Sequence, residues 1–275
     1  WPRRSRGAPS RRSGCGRRRI SDGLAWPEAG EVLQSDEGPV RLLTRRPMAG
    51  DGARFDGILR GRPCAVLVTT SSDPEGVHAW WAEAAERAAG LLQAPSWTGV
   101  AGAWRVTVTP SPTGPCLSDG LAALREAGSG ELKTLLDAIE RWVTPLVDAL
   151  ASVHAGGSAL GLFDPEELRW ADDRLSLAAP PPPPGSPLRR HVRGFSSPEH
   201  LGHCGGAIDA RTDVFFAGLA LYYVLTRVAP IAEASEFTHP LPPPHVFRDE
   251  LPPLLCAVAR RAVSPIPDRR YPDAG

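Results

Sequence analysis

Lysine and asparagine are what this chain lacks. Lys133 is the single lysine among 275 residues and there is no asparagine, while arginine, alanine, glycine and proline abound. Chemistry that needs a flexible ammonium group, or an amide oxygen on a metal, has almost no donors to draw on. The five cysteines, at 15, 64, 116, 204 and 256, are odd in number and never form C-x-x-C. That argues against a disulfide framework and against a zinc knuckle. Glu199, His200, His203 and Cys204 have the right chemistry for a metal, but no second ligand pair at metal spacing accompanies them, so no metal site is expected. No run of about 18 apolar residues occurs, so no membrane-spanning segment is expected here. Neither sign of charge dominates, with 31 basic and 31 acidic residues, which removes any global drive toward nucleic acid or an anionic membrane. The first residue is Trp1 rather than methionine, so the chain reads as part of a longer protein.

The length suffices for one large domain or two lobes with a sizeable core. Residues 1–30 stand apart. Eight arginines fall between positions 3 and 19, and aliphatic residues are sparse. Such a segment buries too little apolar surface to offset chain entropy, so a disordered basic segment is expected. A nucleic-acid or acidic-lipid arm is the lesser alternative. No apolar stretch follows, as a secretory signal would require, and together with unpaired cysteines this points to the cytoplasm.

From 40 to 68, short apolar runs punctuated by glycine predict β-strands. Residues 76–92 carry Trp80, Ala84 or Ala85, Ala88 and Leu91 or Leu92 at helical spacing, which predicts a helix. Residues 104–109 alternate apolar and polar, as a half-buried strand should. A glycine- and proline-rich joint at 111–119 precedes a short helix at 118–127. The longer helix predicted at 131–154 has a stripe of Leu132, Leu135, Ile139, Val143, Leu146, Leu150 and Val153, with Pro145 as a kink or break. Five prolines at 180–184 predict stiff polyproline II, read as a rigid surface spacer, with docking into an SH3- or WW-like groove as the lesser alternative. Residues 219–226, LALYYVLT, are apolar on nearly all sides and predict a helix at the centre of a lobe.

Several spaced motifs occur in one order. Residues 150–168 read LASVHAGGSALGLFDPEEL. Here His154, Gly157, Pro165, Glu166 and Leu168 match H-x-x-G-x-x-H-R-D-L-K-P-E-N-[IL] without a gap. Residues 195–199, FSSPE, match the A-P-E end of an activation segment, and Asp213 with Gly218 match D-x-x-x-x-G. Residues 262–271 match L-x-x-D-P-x-x-R, ending in Arg270. By these motifs the chain resembles the protein kinase family, in its bacterial, eukaryotic-like Ser/Thr branch. The resemblance implies an α+β, two-lobed fold. A small β-rich lobe with one helix would occupy 31–110, and a larger, mainly helical lobe 111–275, stopping before its last helix. It also implies structural roles for Glu86, His154, Glu199, Asp213 and Arg270, with Glu199 and Arg270 as a buried ion pair and Asp213 accepting from loop backbone.

The positions that do chemistry depart from the family. Leu160, Gly161 and Leu162 stand at H-R-D, Asp164 at the loop lysine and Glu167 at the asparagine. Cys64-Ala65-Val66-Leu67 aligns with V-A-I-K, which puts Leu67 at the phosphate-binding lysine, and Ala179 stands at the D-F-G aspartate. Gly50 and Gly52 begin a weak glycine-rich loop in which Phe55 takes the third glycine's place. Phosphoryl transfer needs positioned phosphates, magnesium ions and a base near the acceptor hydroxyl. The resemblance thus implies a catalytically inactive pseudokinase, a regulatory or scaffolding module with a protein partner such as another kinase. Its cleft would be filled by side chains such as Phe55 and Leu67. The family's ATP and magnesium are not expected. The alternative is a divergent active Ser/Thr kinase that uses Asp164 and Glu167 as a displaced base or ligands.

Overall fold

The computed structural model describes residues 26–35, 37–46, 52–70, 85–86, 90–93, 95–102, 104–127, 132–161, 165–171, 174–178, 195–202, 207–228 and 240–275. The N-terminal half forms one antiparallel six-stranded sheet. Its strands are β1 (Val32–Ser35), β2 (Gly38–Arg46), β3 (Gly52–Leu59), β4 (Arg62–Thr70), β5 (Trp97–Ala101) and β6 (Trp104–Pro110), in the order β1-β2-β3-β4-β6-β5. The sheet starts at Val32, earlier than the apolar runs alone suggest. β5 has no sequence signature, because Gly99 and the exposed Val100 break its alternation.

Register sorts the side chains onto two faces. Phe55 pairs with Val66, and Val66 with Val108, so these three point the same way. They join Leu42, Ala53, Val68 and Val106 in an apolar cluster beneath the stacked rings of Trp26 and Trp104. Each fully buried Val, Leu or Phe of this kind contributes about 1.5–3 kcal/mol. The other face carries the alternate residues: Arg54 pairs with Leu67, and Leu67 with Thr107. Leu67 belongs to the second and larger core, shared with the helical half.

That half begins with α1 (Leu117–Glu126), which is N-capped by Cys116 and Asp119. The Asp119 backbone N–H donates to Cys116 Sγ, and the Asp119 carboxylate accepts from the Cys116 N–H. The predicted long helix is α2 (Leu132–Ala138), a π-turn (Ile139–Val143) and α3 (Thr144–Ala155). Pro145 explains the interruption. Its ring crowds the carbonyl one turn back, and the widened turn sends the Thr144 N–H to Ile139 O. A hairpin of β7 (Leu168–Ala171) and β8 (Arg174–Leu177) follows. Then come α4 (Pro198–Leu201), the central α5 (Ala210–Thr226) and α6 (Pro253–Ala262). Every α5 residue from Thr212 to Thr226 is buried, as its all-round apolar sequence requires.

Helices α5 and α6 touch at Gly218. A Cβ there would stand 2.6 Å from Ala262 Cβ and 3.0 Å from Val263 Cγ1. Alanine gains up to about 1 kcal/mol over glycine in a helix interior, whereas overpacking costs about 1–3 kcal/mol. Gly218→Ala is therefore expected to lower stability by about 1 kcal/mol in urea denaturation, and Gly218→Val by more. A stabilised Gly218→Ala protein would show that the helices separate freely.

Candidate functional site

The residues singled out by the sequence fall into two groups, one in the helical lobe and one at the cleft. In the first, Asp213 sits near the start of α5, completely buried. Its carboxylate accepts from the backbone N–H of Leu160 at 2.8 Å and of Gly161 at 2.7 Å, and lies 3.0 Å from His154 Nε2. His154, in the last turn of α3, also takes the Ala274 N–H on Nδ1 at 3.0 Å. The loop after α3 is thus hung on one carboxylate through its backbone.

Beside it, Glu199 and Arg270 meet in a bidentate pair, with Nη1 to Oε1 at 2.6 Å and Nη2 to Oε2 at 2.9 Å. Both side chains are fully buried. Thr212 Oγ1 donates to Glu199 at 3.0 Å, and Arg270 also donates to the Ser264 and Arg211 carbonyls. Burial alone would raise the Glu199 carboxyl, but the hydrogen bonds and charge of Arg270 outweigh it and hold the group below the usual carboxylate range. The next residue, His200, is buried with Nδ1 2.7 Å from Ser197 Oγ. Burial pushes its pKa down, so it is neutral at pH 7.

The second group lies where the sheet faces the β7 hairpin. Leu67 is buried in the main apolar core with Leu91, Leu92 and Leu177. Glu167 is also buried, but it is spent: Arg54 Nη2 donates to its Oε2 at 2.6 Å, with the two side chains 9% and 11% exposed. Arg46 lies alongside, 2.8 Å from Asp56 and 3.6 Å from Glu166. Burial would lower the Arg46 pKa; Asp56 first, then Glu167 and Glu166, push it up instead. Sequence reasoning missed Arg54 and Arg46. The available signal was that Arg54 alternates with Phe55, which places it on the same face as Leu67 once β3 and β4 are in register.

Phe55 departs from expectation. It packs on the far face of the sheet, with Val66 and Val68, and does not fill the cleft; the two-residue period of the strand sends its neighbour Arg54 there instead. Gly52 opens β3, opposite Thr69. Ala85 and Glu86 are helical, and Glu86 is exposed. Gly50, Leu162, Asp164 and Ala179 lie outside the described residues. Among the described residues, no group of three His, Cys, Asp or Glu side chains is placed to hold a metal, and no helix is long and apolar enough to cross a membrane.

The crystal structure of the Mycobacterium tuberculosis PknI kinase domain superposes with a TM-score of 0.56 at 15% identity, over 90% of this chain and 95% of that one. The chain has the protein kinase fold. A second structure of the PknI kinase domain gives a TM-score of 0.54 at 17% identity, with the same 90% and 95% coverage. In sequence, the tyrosine-protein kinase MasK of Myxococcus xanthus is 34% identical over 77 residues, which is 26% of this chain but 12% of that protein. No protein-family model matches the chain. The β-sheet lobe and helical lobe of the kinase fold are thus present, with Asp213, Glu199 and Arg270 inside the helical one.

Glu199→Gln keeps the side-chain shape but strands a buried guanidinium. It is expected to cost about 3–5 kcal/mol in urea denaturation at pH 7. Because the folded carboxyl titrates below its unfolded value of about 4.3, the contribution of the pair is complete above that pH and fades as pH falls through the folded value. The gap between the two proteins therefore closes on acidification. A gap unchanged at pH 3 would contradict the ion-pair account.

Proposed function

We propose that this chain is a kinase-like regulatory or scaffolding module that has lost phosphoryl transfer and works by binding a protein partner, such as another kinase, in bacterial cytoplasmic signalling. The observation that carries the reading is Leu67. In kinases the lysine at this position pairs with the α- and β-phosphates. Here the side chain is apolar, 3% exposed and packed into the main core.

The residues present do not fit the magnesium nucleotide of the family. Glu167 stands where the asparagine would hold a second magnesium ion, and its carboxylate already neutralises Arg54 at 2.6 Å. The sequence places Ala179 at the principal metal ligand and Leu162 at the catalytic base. The one lysine, Lys133, lies on α2 of the helical lobe. A charge relocated from Leu67 would have to come from an arginine, whose planar fork is a different shape from a lysine ammonium.

The test is phosphotransfer by the full chain with labelled ATP, supplied with magnesium or manganese, onto itself and onto a general Ser/Thr substrate such as casein. No transfer above the protein-free control is expected, and Leu67→Lys is expected to restore none, because base and metal ligand are still missing. Transfer that disappears in Asp164→Asn or Glu167→Gln would overturn the reading in favour of a divergent active Ser/Thr kinase.

A further inference from the structure

The two lobes are joined across the cleft by the chain's own charges. Arg54, on β3 of the sheet, and Glu167, just before β7, are 113 residues apart in sequence and 2.6 Å apart in space. At the rim, Arg46 of β2 reaches Asp56 on the same sheet and Glu166 on the other lobe. Two sheet arginines thus face three carboxylates, two of them from the helical lobe.

The inner pair differs from the ion pair inside the helical lobe. Glu199 and Arg270 share two parallel hydrogen bonds, and the guanidinium has further carbonyl acceptors. Among the described residues Arg54 makes one bond to Glu167, and its buried Nε has no hydrogen-bond partner. A buried donor left unmet weakens the closed arrangement relative to one in which every N–H is satisfied.

We propose that Arg54 and Glu167 form a latch that holds the two lobes together, with Arg46 and Glu166 as its solvent-screened outer contact. While it is shut, the buried arginine beside Leu67 is neutralised, so the closed cleft offers no uncompensated cation at that point. Opening exposes Arg54 and Glu167 together. The latch concerns how the lobes are held and goes beyond the loss of phosphoryl transfer.

Deuterium uptake of the full chain, followed in peptides covering 52–59 and 165–171, tests this. Arg54→Gln and Glu167→Gln are each expected to raise the uptake rate in both peptides by about ten-fold, while the 210–226 peptide stays protected. Unchanged uptake in folded single variants overturns the latch. Should the single variants fail to fold, the Arg54→Ser/Glu167→Ser double variant decides, since it leaves no lone buried charge and puts no apolar pair in place of the contact. It is expected to fold and to show the same faster uptake, and wild-type uptake in it overturns the proposal. Phosphotransfer measured on the same preparations bears on the functional reading and leaves the uptake result standing.

Discussion

A single buried carboxylate ties the helical lobe together. Asp213 enters an apolar helix at no exposure, where an isolated charge would be prohibitively costly. It is tolerated because the Leu160 and Gly161 backbone N–H groups and His154 all point at it. Charge-assisted bonds of this kind are stronger than neutral ones. Through them α5, the end of α3 and the loop after it are fixed to one point, and the Ala274 N–H on His154 adds the C-terminal stretch. None of these contacts involves the side chains of Leu160 or Gly161. The hold of Asp213 on this loop does not depend on the loop's side chains, because it is made through backbone amides.

The same separation runs through the charged pairs. The Glu199 and Arg270 side chains are fully buried, and the fork geometry of arginine matches the carboxylate oxygens one for one. Arg270 also lies over the Phe215 ring and reaches two carbonyls, so one side chain braces α4, α5 and the C-terminal turn. A chain with 31 basic residues of which one is lysine can build such sites freely. It cannot as readily provide a compact ammonium for a phosphate. Arg54, paired in register with Leu67, is engaged with the chain's own Glu167. Architecture and chemistry therefore draw on different properties of the same charged side chain.

Much of this was legible in the amino-acid order. The helical stripe from Leu135 to Val153, the all-apolar run of α5 and the break at Pro145 are local patterns, and local periodicity reports local structure; Leu132, expected in the stripe, is exposed. The spaced motifs around His154, Glu199, Asp213 and Arg270 indicated a two-lobed kinase-like chain because their order survives where individual residues have changed. Replacements at Leu67, Leu162, Glu167 and Ala179 are expected, position by position, from the resemblance to the family. What tertiary structure alone decided was which way neighbours point and which distant residues meet. Phe55 and Arg54 are adjacent, and the pairing of β3 with β4 sends one into the sheet core and the other into the cleft. The meeting of Arg54 with Glu167 depends on the separation of two lobes, set by every contact between them. No spacing within the sequence encodes that distance, so the ion pair across the cleft belongs to the fold.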